Sequence, residues 1–152
     1  ANVLAGLLGV ADSEQRQKTD QYIDSQVIHK EMRVLPAFWP VIKEEDKDWS
    51  RLQVAYSYNF KNKPYEFHNG GLWPLINGFY IASLAKHGQP ERVKDFLLAT
   101  HRANKLDKDG GDWGFFEFLH GRTLKPGGNR LQVWSASAAV MGQLALEGKS
   151  PF

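Results

Sequence analysis

No cysteine occurs in this 152-residue chain, which excludes a disulfide framework and a thiolate metal site and is compatible with a reducing cytosol. Long apolar runs are missing as well. Ala1 to Val10 is apolar, but no basic segment precedes it and nothing approaches the ~20 residues that cross a bilayer. Neither a signal peptide nor a membrane partner is expected, and the expected compartment is the cytoplasm. Charge of one sign is not in excess: 19 basic and 17 acidic residues are scattered along the chain, without the Lys/Arg stripe of a nucleic-acid binder. His29, His87 and His101 lack metal-ligand spacing. No metal or cofactor is expected.

What is abundant is aromatic: 12% of residues, with five Trp, whose flat apolar faces and polar edges suit stacking on sugar rings. Trp73, Trp113 and Trp134 each fall beside polar or Gly-rich sequence rather than inside a smooth apolar period. A ligand-facing wall therefore competes with a plain core role. The length suits one domain. The chain has no initiator Met and opens like the second half of a helix, so it is expected to start inside a longer protein.

Asp12 or Ser13, followed by Gln15, caps a predicted exposed helix running to about His29. The prolines make Leu35 to Pro40 extended or turning. Lys43 to Trp49 is highly charged, with Asp48 or Ser50 as a candidate cap, and Arg51 to Glu66 has no clear period and reads as a long loop. Pro74 opens a helix that is apolar nearly all round and stops at Gly88. The next begins at Pro90 and places Val93, Phe96, Leu97 and Thr100 on one face, with Glu91, Lys94 and Asp95 outside. Leu106 to Asn129 is a second long loop with room for a short strand. A last helix is predicted from about Arg130 to Glu147, its small residues allowing close packing. Such helices joined by long aromatic loops suit helical hairpins around a pocket better than a simple bundle, whose loops are commonly ~2 to 8 residues.

Three segments carry the candidate chemistry. Tyr65 to Pro74 combines His68 and Asn69 with Gly70, Gly71 and Trp73 at a helix start, where glycines admit close backbone approach. The competing reading makes His68 and Asn69 caps and Trp73 core. In Gly111 to Gly121, Glu117 sits among Trp113, Phe115, Phe116 and Phe118, surroundings that disfavour ionisation. It is a candidate acid or base, against the plainer reading of an exposed loop Glu between buried rings. Gln132 and Trp134 point to different sides of the last helix, so that one faces a ligand while the other packs, and Trp134 is expected to be the packed one. Glu66, Asp109 and Asp112 are further carboxylates that the pattern does not exclude.

In order, His68-Asn69-Gly70-Gly71-Leu72-Trp73-Pro74, Trp113 to Gly121 and Leu131 to Ala138 resemble the C-terminal catalytic region of the alkaline and neutral invertases. They are also similar to the amylo-α-1,6-glucosidase (glycogen-debranching) enzymes. The likeness covers roughly Leu35 to Leu146. It implies an all-α fold in which residues 1–152 form the C-terminal part of an (α/α)6 barrel, one portion of a larger catalytic domain. It further implies that Glu117 is the general base of an inverting hydrolysis of an α-glucosidic bond, in sucrose or at an α-1,6-glucan branch. His68, Asn69, Gly70, Trp73, Trp113 and Gln132 would line the carbohydrate site. The Asp general acid would lie in the upstream part of the same polypeptide. The sequence departs from the invertase pattern at Leu72 and at Gly114-Phe115-Phe116, and from the debranching pattern at Gly71 and before Gln132, which leaves the substrate open.

Two other classes compete: a non-catalytic carbohydrate-binding module that kept the aromatic wall, and another (α/α)-barrel sugar enzyme such as an epimerase, relying on His68 with His120. As a piece of a closed barrel, the fragment alone is expected to be catalytically silent. It is also expected to cover its inward apolar faces by rearranging its loops or by forming a homo-oligomer.

Overall fold

The computed structural model describes residues 1–54, 59–149 and 152. It is helix-rich, with α1 Asn2–Leu7, α2 Ser13–Tyr22, α3 Trp49–Val54, α4 Pro74–Lys86, α5 Pro90–Lys105 and α6 Val133–Leu146, and a single two-residue ladder of β1 Phe118–Leu119 with β2 Pro126–Gly127. All-α is thus the correct class for the described residues. Among them no helix is long and apolar enough to cross a membrane.

Local chemistry sets most boundaries. Asp12 is the cap of α2, its carboxylate accepting the Gln15 N–H at 2.9 Å while Gln15 Oε1 accepts the Asp12 N–H at 3.0 Å, a reciprocal capping box. The helix gives way to a π-helical turn over Ile23–Val27, two residues short of the expected end at about His29. Helix α3 occupies the start of what the sequence presents as the loop Arg51 to Glu66; residues 55–58 of that loop lie outside the described residues. Pro74 stands at the first turn of α4 and Pro90 at that of α5, each supplying a fixed φ where the missing N–H costs nothing. Helix α6 starts three residues later than predicted. Leu131 adopts a left-handed φ of 57°, which no α-helix accommodates, and Gln132 is the extended residue before the first turn.

Helix α4 is the hub, packing against α1, α5 and α6. It is apolar on every side because each side is covered: Tyr80, Ile81, Ala82 and Leu84 are buried. Gly78 lets α6 approach, since a side chain there would collide with Ala138 and Met141. The amphipathic reading of α5 holds residue by residue, with Val93, Phe96, Leu97 and Thr100 buried and Glu91, Lys94 and Asp95 exposed. Burying such a face at about 25 cal/mol per Å² is what keeps the helix in place. On α6 the small residues Ser135, Ala138, Gly142 and Ala145 face inward, while Val133 and Val140 remain largely exposed.

The loops before α4 and α6 are tied to one another. Leu72 exchanges both backbone hydrogen bonds with Leu119, at 2.8 and 2.9 Å, Pro36 bridges Leu72 on its other side, and β2 flanks β1. This narrow ribbon carries the His68 loop and the Glu117 loop side by side.

Candidate active site

Glu117 stands between the buried rings of Phe116 and Phe118, immediately before β1, and is itself half-buried. Its backbone N–H donates to Asn129 O at 3.0 Å, and its Oε2 accepts the Asn129 N–H at 3.2 Å. The turn that brings Asn129 there passes through Gly128 at φ +71°, and a side chain on Gly128 would overlap the Glu117 carboxylate. Glycine lets this backbone lie directly on the acid and hold it by a main-chain donor.

His68 belongs to the same surface. Its backbone N–H is held by Asn62 Oδ1 at 3.1 Å, and its ring lies against Phe67 at 4.0 Å and Trp73 at 5.0 Å between centroids. Burial against these rings pushes the imidazole below its ordinary value of 6.5, and the Glu117 carboxylate acts against that by favouring the charged form. A histidine depressed in this way adds no pH dependence to folding above about 6.5, where both states are neutral. As pH falls through that value the unfolded chain takes the proton first and stability declines. An NMR titration should therefore place His68 below 6.5, and Glu117→Gln should lower it further by removing the opposing charge. An unmoved midpoint in that variant would separate the two side chains.

The tryptophans exchange their expected roles. Trp73 is only 6% exposed, its Nε1–H donates to Phe67 O at 2.9 Å, and its ring is stacked on Phe118 at 6.0 Å. Trp134, expected to pack behind, is 38% exposed and lies 6.3 Å from Trp73. The reason is the late start of α6, which leaves Trp134 in its first turn and beside the loops. Among the described residues no acceptor meets its indole N–H.

Asn69 is 1% exposed and its amide is fully engaged with protein, accepting from Ile42 N and donating to Ile42 O and Asn62 O. Gly70, at φ +87° and against Val41, is likewise buried beneath the surface. Trp113 and Gln132 gather around Phe115 instead: Trp113 stacks on it at 5.7 Å and the Gln132 N–H donates to its carbonyl at 2.8 Å. Gln132 and Phe115 line an apolar hollow of about 460 Å³ on α6. Among the described residues no hydrogen bond or ring contact joins Trp113 or Gln132 to Glu117 or His68.

Of the other candidates, Asp112 pairs with Lys105 at 3.5 Å on the surface, and Glu66 bridges to Asn69 and Gly70 through its backbone. His120 closes a turn, its Nδ1 accepting the N–H groups of Arg122 and Thr123, while its ring lies over Tyr65 at 6.1 Å. That arrangement does not favour the paired histidines an epimerase would need. Sequence reasoning missed Asp107, whose carboxylate accepts from Arg130 at 2.7 and 3.0 Å and is held below the usual carboxylate range by that guanidinium. The pair fastens the long loop to the entry of α6.

A carboxylate and a neutral-leaning imidazole on an aromatic bed, carried by loops at the starts of two packed helices, define an all-α protein whose candidate site is built on its loops. Residues 1–148 match the model of the alkaline and neutral invertases, and the chain belongs to that family. Probable alkaline/neutral invertase D of Arabidopsis thaliana is 30% identical over 108 residues, covering 70% of this chain and 19% of that protein. Cytosolic invertase 1 of Oryza sativa subsp. japonica is 26% identical over 107 residues, 70% of this chain and 18% of that protein. The chloroplastic alkaline/neutral invertase E of Arabidopsis thaliana is 25% identical over 103 residues, with 67% and 16% covered. The chain thus matches less than a fifth of the length of these curated relatives.

Proposed function

We propose that this chain is the base-carrying part of an inverting glycoside hydrolase acting on the α-glucosidic bond of sucrose, and that its helices form the C-terminal part of an (α/α)6 barrel. The observation that carries the reading is the Glu117 carboxylate, fixed by the Asn129 N–H on the surface it shares with His68. The relatives above are invertases, which favours sucrose over an α-1,6-glucan branch. In this mechanism Glu117 takes a proton from water as that water attacks the anomeric carbon. An Asp in the upstream part of the same polypeptide protonates the departing oxygen from about 6.5 to 9.5 Å away. His68 offers hydrogen bonds to sugar hydroxyls, and Trp134 offers the stacking face first assigned to Trp73, with Trp73 supporting it from behind.

Inversion has a direct signature. NMR of the intact parent protein on sucrose should show β-glucose appearing before mutarotation, and α-glucose appearing first would remove the mechanism. Binding of sucrose without turnover would instead favour the carbohydrate-binding module.

A further inference from the structure

Helix α4 carries the candidate site at its Pro74 end. At its other end, where α1 and α2 pack on it, lies a hollow of about 140 Å³ whose lining includes Gly6, Arg16, Asp20, Ser83, His87 and Gln89. Ser83 is nine residues beyond Pro74, about 13 Å along the helix axis, so the hollow is separate from the Glu117 surface. Its volume is below the ~300 to 1,000 Å³ of organic-ligand pockets and several times the ~30 Å³ of a water molecule. It suits one small ion.

The polar groups that line it are left open. Ser83 is 7% exposed, and among the described residues its hydroxyl has no hydrogen-bond partner. Arg16 donates through Nη1 to Ala11 O at 3.2 Å, which leaves most of the five guanidinium N–H groups for another acceptor. The two side chains converge on one point: a methyl on Gly6 would stand 3.2 Å from Ser83 Oγ and 3.5 Å from Arg16 Cγ and Cδ. Glycine keeps that point free. The backbone around it is pinned by α4, since the ring of His87 donates through Nε2 to Gly6 O at 3.2 Å and Lys86 Nζ donates to Leu7 O at 2.9 Å.

The one acid in the lining is already answered. Asp20 Oδ1 accepts the Tyr80 hydroxyl at 2.6 Å, Oδ2 accepts Gln89 Nε2 at 3.1 Å, and the Arg92 guanidinium lies 4.0 Å away. The uncommitted capacity is therefore that of donors: a guanidinium fork and a hydroxyl. Such a set matches a tetrahedral oxyanion, which accepts from several directions and takes two parallel bonds from arginine.

We propose that this hollow binds a small oxyanion of the phosphate class, held between Arg16 and Ser83 and joining α1, α2 and α4. The inference is independent of the glycosidase reading.

Calorimetric titration of inorganic phosphate into the intact parent protein, at an ionic strength fixed with chloride, should show saturable binding at millimolar concentration or below. Arg16→Gln removes the charge and Ser83→Ala the hydroxyl, and each should weaken phosphate about 10-fold or more, the usual size of a hydrogen bond to a charged group. Gly6→Ala keeps every polar group, favours the helix and sets a methyl where the two side chains meet; it should weaken phosphate as much. Absence of saturable heat in the unaltered protein overturns the site, as do variants that bind as tightly as it does. A rise in the thermal midpoint that phosphate causes equally in all four proteins is exclusion of the salt from their surfaces and also counts against it. Glycerol phosphate binding more tightly than inorganic phosphate supports the site and assigns it to the end of a phosphate ester, whereas preference for inorganic phosphate assigns it to the free ion. Turnover is not read, so failure of the Glu117 assignment leaves this outcome untouched.

Discussion

Replacing Glu117 by Gln in the complete parent protein is expected to cut turnover on its glycoside by about 10² to 10⁴-fold, the usual contribution of a general acid or base, with substrate affinity nearly unchanged. Gln keeps the shape of Glu and presents an amide oxygen where Oε2 now accepts the Asn129 N–H at 3.2 Å. The loop should therefore stay folded while the proton acceptor disappears. A water molecule attacking an anomeric carbon must lose a proton as its oxygen gains a bond, and an amide cannot take it. The informative pattern is a fall in kcat with KM preserved. Unchanged kcat would return Glu117 to a loop residue between buried rings, whereas a rise in KM alone would make it a binding group.

The largest effect on stability is expected from Asn77→Ala. Asn77 is fully buried in α4, and its amide accepts the Leu35 N–H at 2.9 Å and donates to Arg33 O at 2.8 Å and Thr100 Oγ1 at 3.2 Å. Alanine leaves the buried Leu35 N–H without a partner, at about 1 to 3 kcal/mol, strips the part-buried Arg33 O of its donor, and opens a void among buried side chains, in a protein whose whole stability is of the order of 5 to 15 kcal/mol. A loss of about 3 kcal/mol or more should appear as a shifted denaturation midpoint, and a loss below about 1 kcal/mol would mean that the segment does not depend on this amide. The site is affected too, because Leu35 O accepts the Trp73 N–H at 2.9 Å.

How much was legible in the sequence differs by the range of the interaction that decides each feature. The Asp12 cap, Pro74, Pro90 and the buried face of α5 depend on neighbours a few positions away, and each is where spacing and turn chemistry place it. The late start of α6 follows from the backbone of Leu131, which an apolar residue type does nothing to announce. Trp73 and Trp134 could not be sorted by sequence alone, because which indole is covered depends on how its own loop folds Phe67 back onto it and on Phe118 reaching it from another. Asn69 misled for the same reason: its partner Ile42 lies 27 residues earlier, and a polar residue in a glycine-rich loop looks available until that partner is seen. The link between His68 and Glu117 was legible only through the resemblance, since it is made by the Leu72 to Leu119 bridge.

Two asparagines that hold this architecture, Asn69 and Asn77, are each followed by glycine. In an unfolded chain that pairing is prone to spontaneous ageing, Asn being a thermolabile residue: the unhindered backbone nitrogen of the glycine attacks the asparagine side-chain carbonyl, ammonia leaves as a succinimide ring closes, and water then opens the ring to a carboxylate. Here both amides are buried and pinned by several hydrogen bonds, and the Gly70 nitrogen is bonded to His68 O. Ring closure demands that those bonds first be broken. The chemical lifetime of the protein is thereby coupled to how often it opens, and each opening risks turning a neutral tie at the heart of the fold into a fixed negative charge.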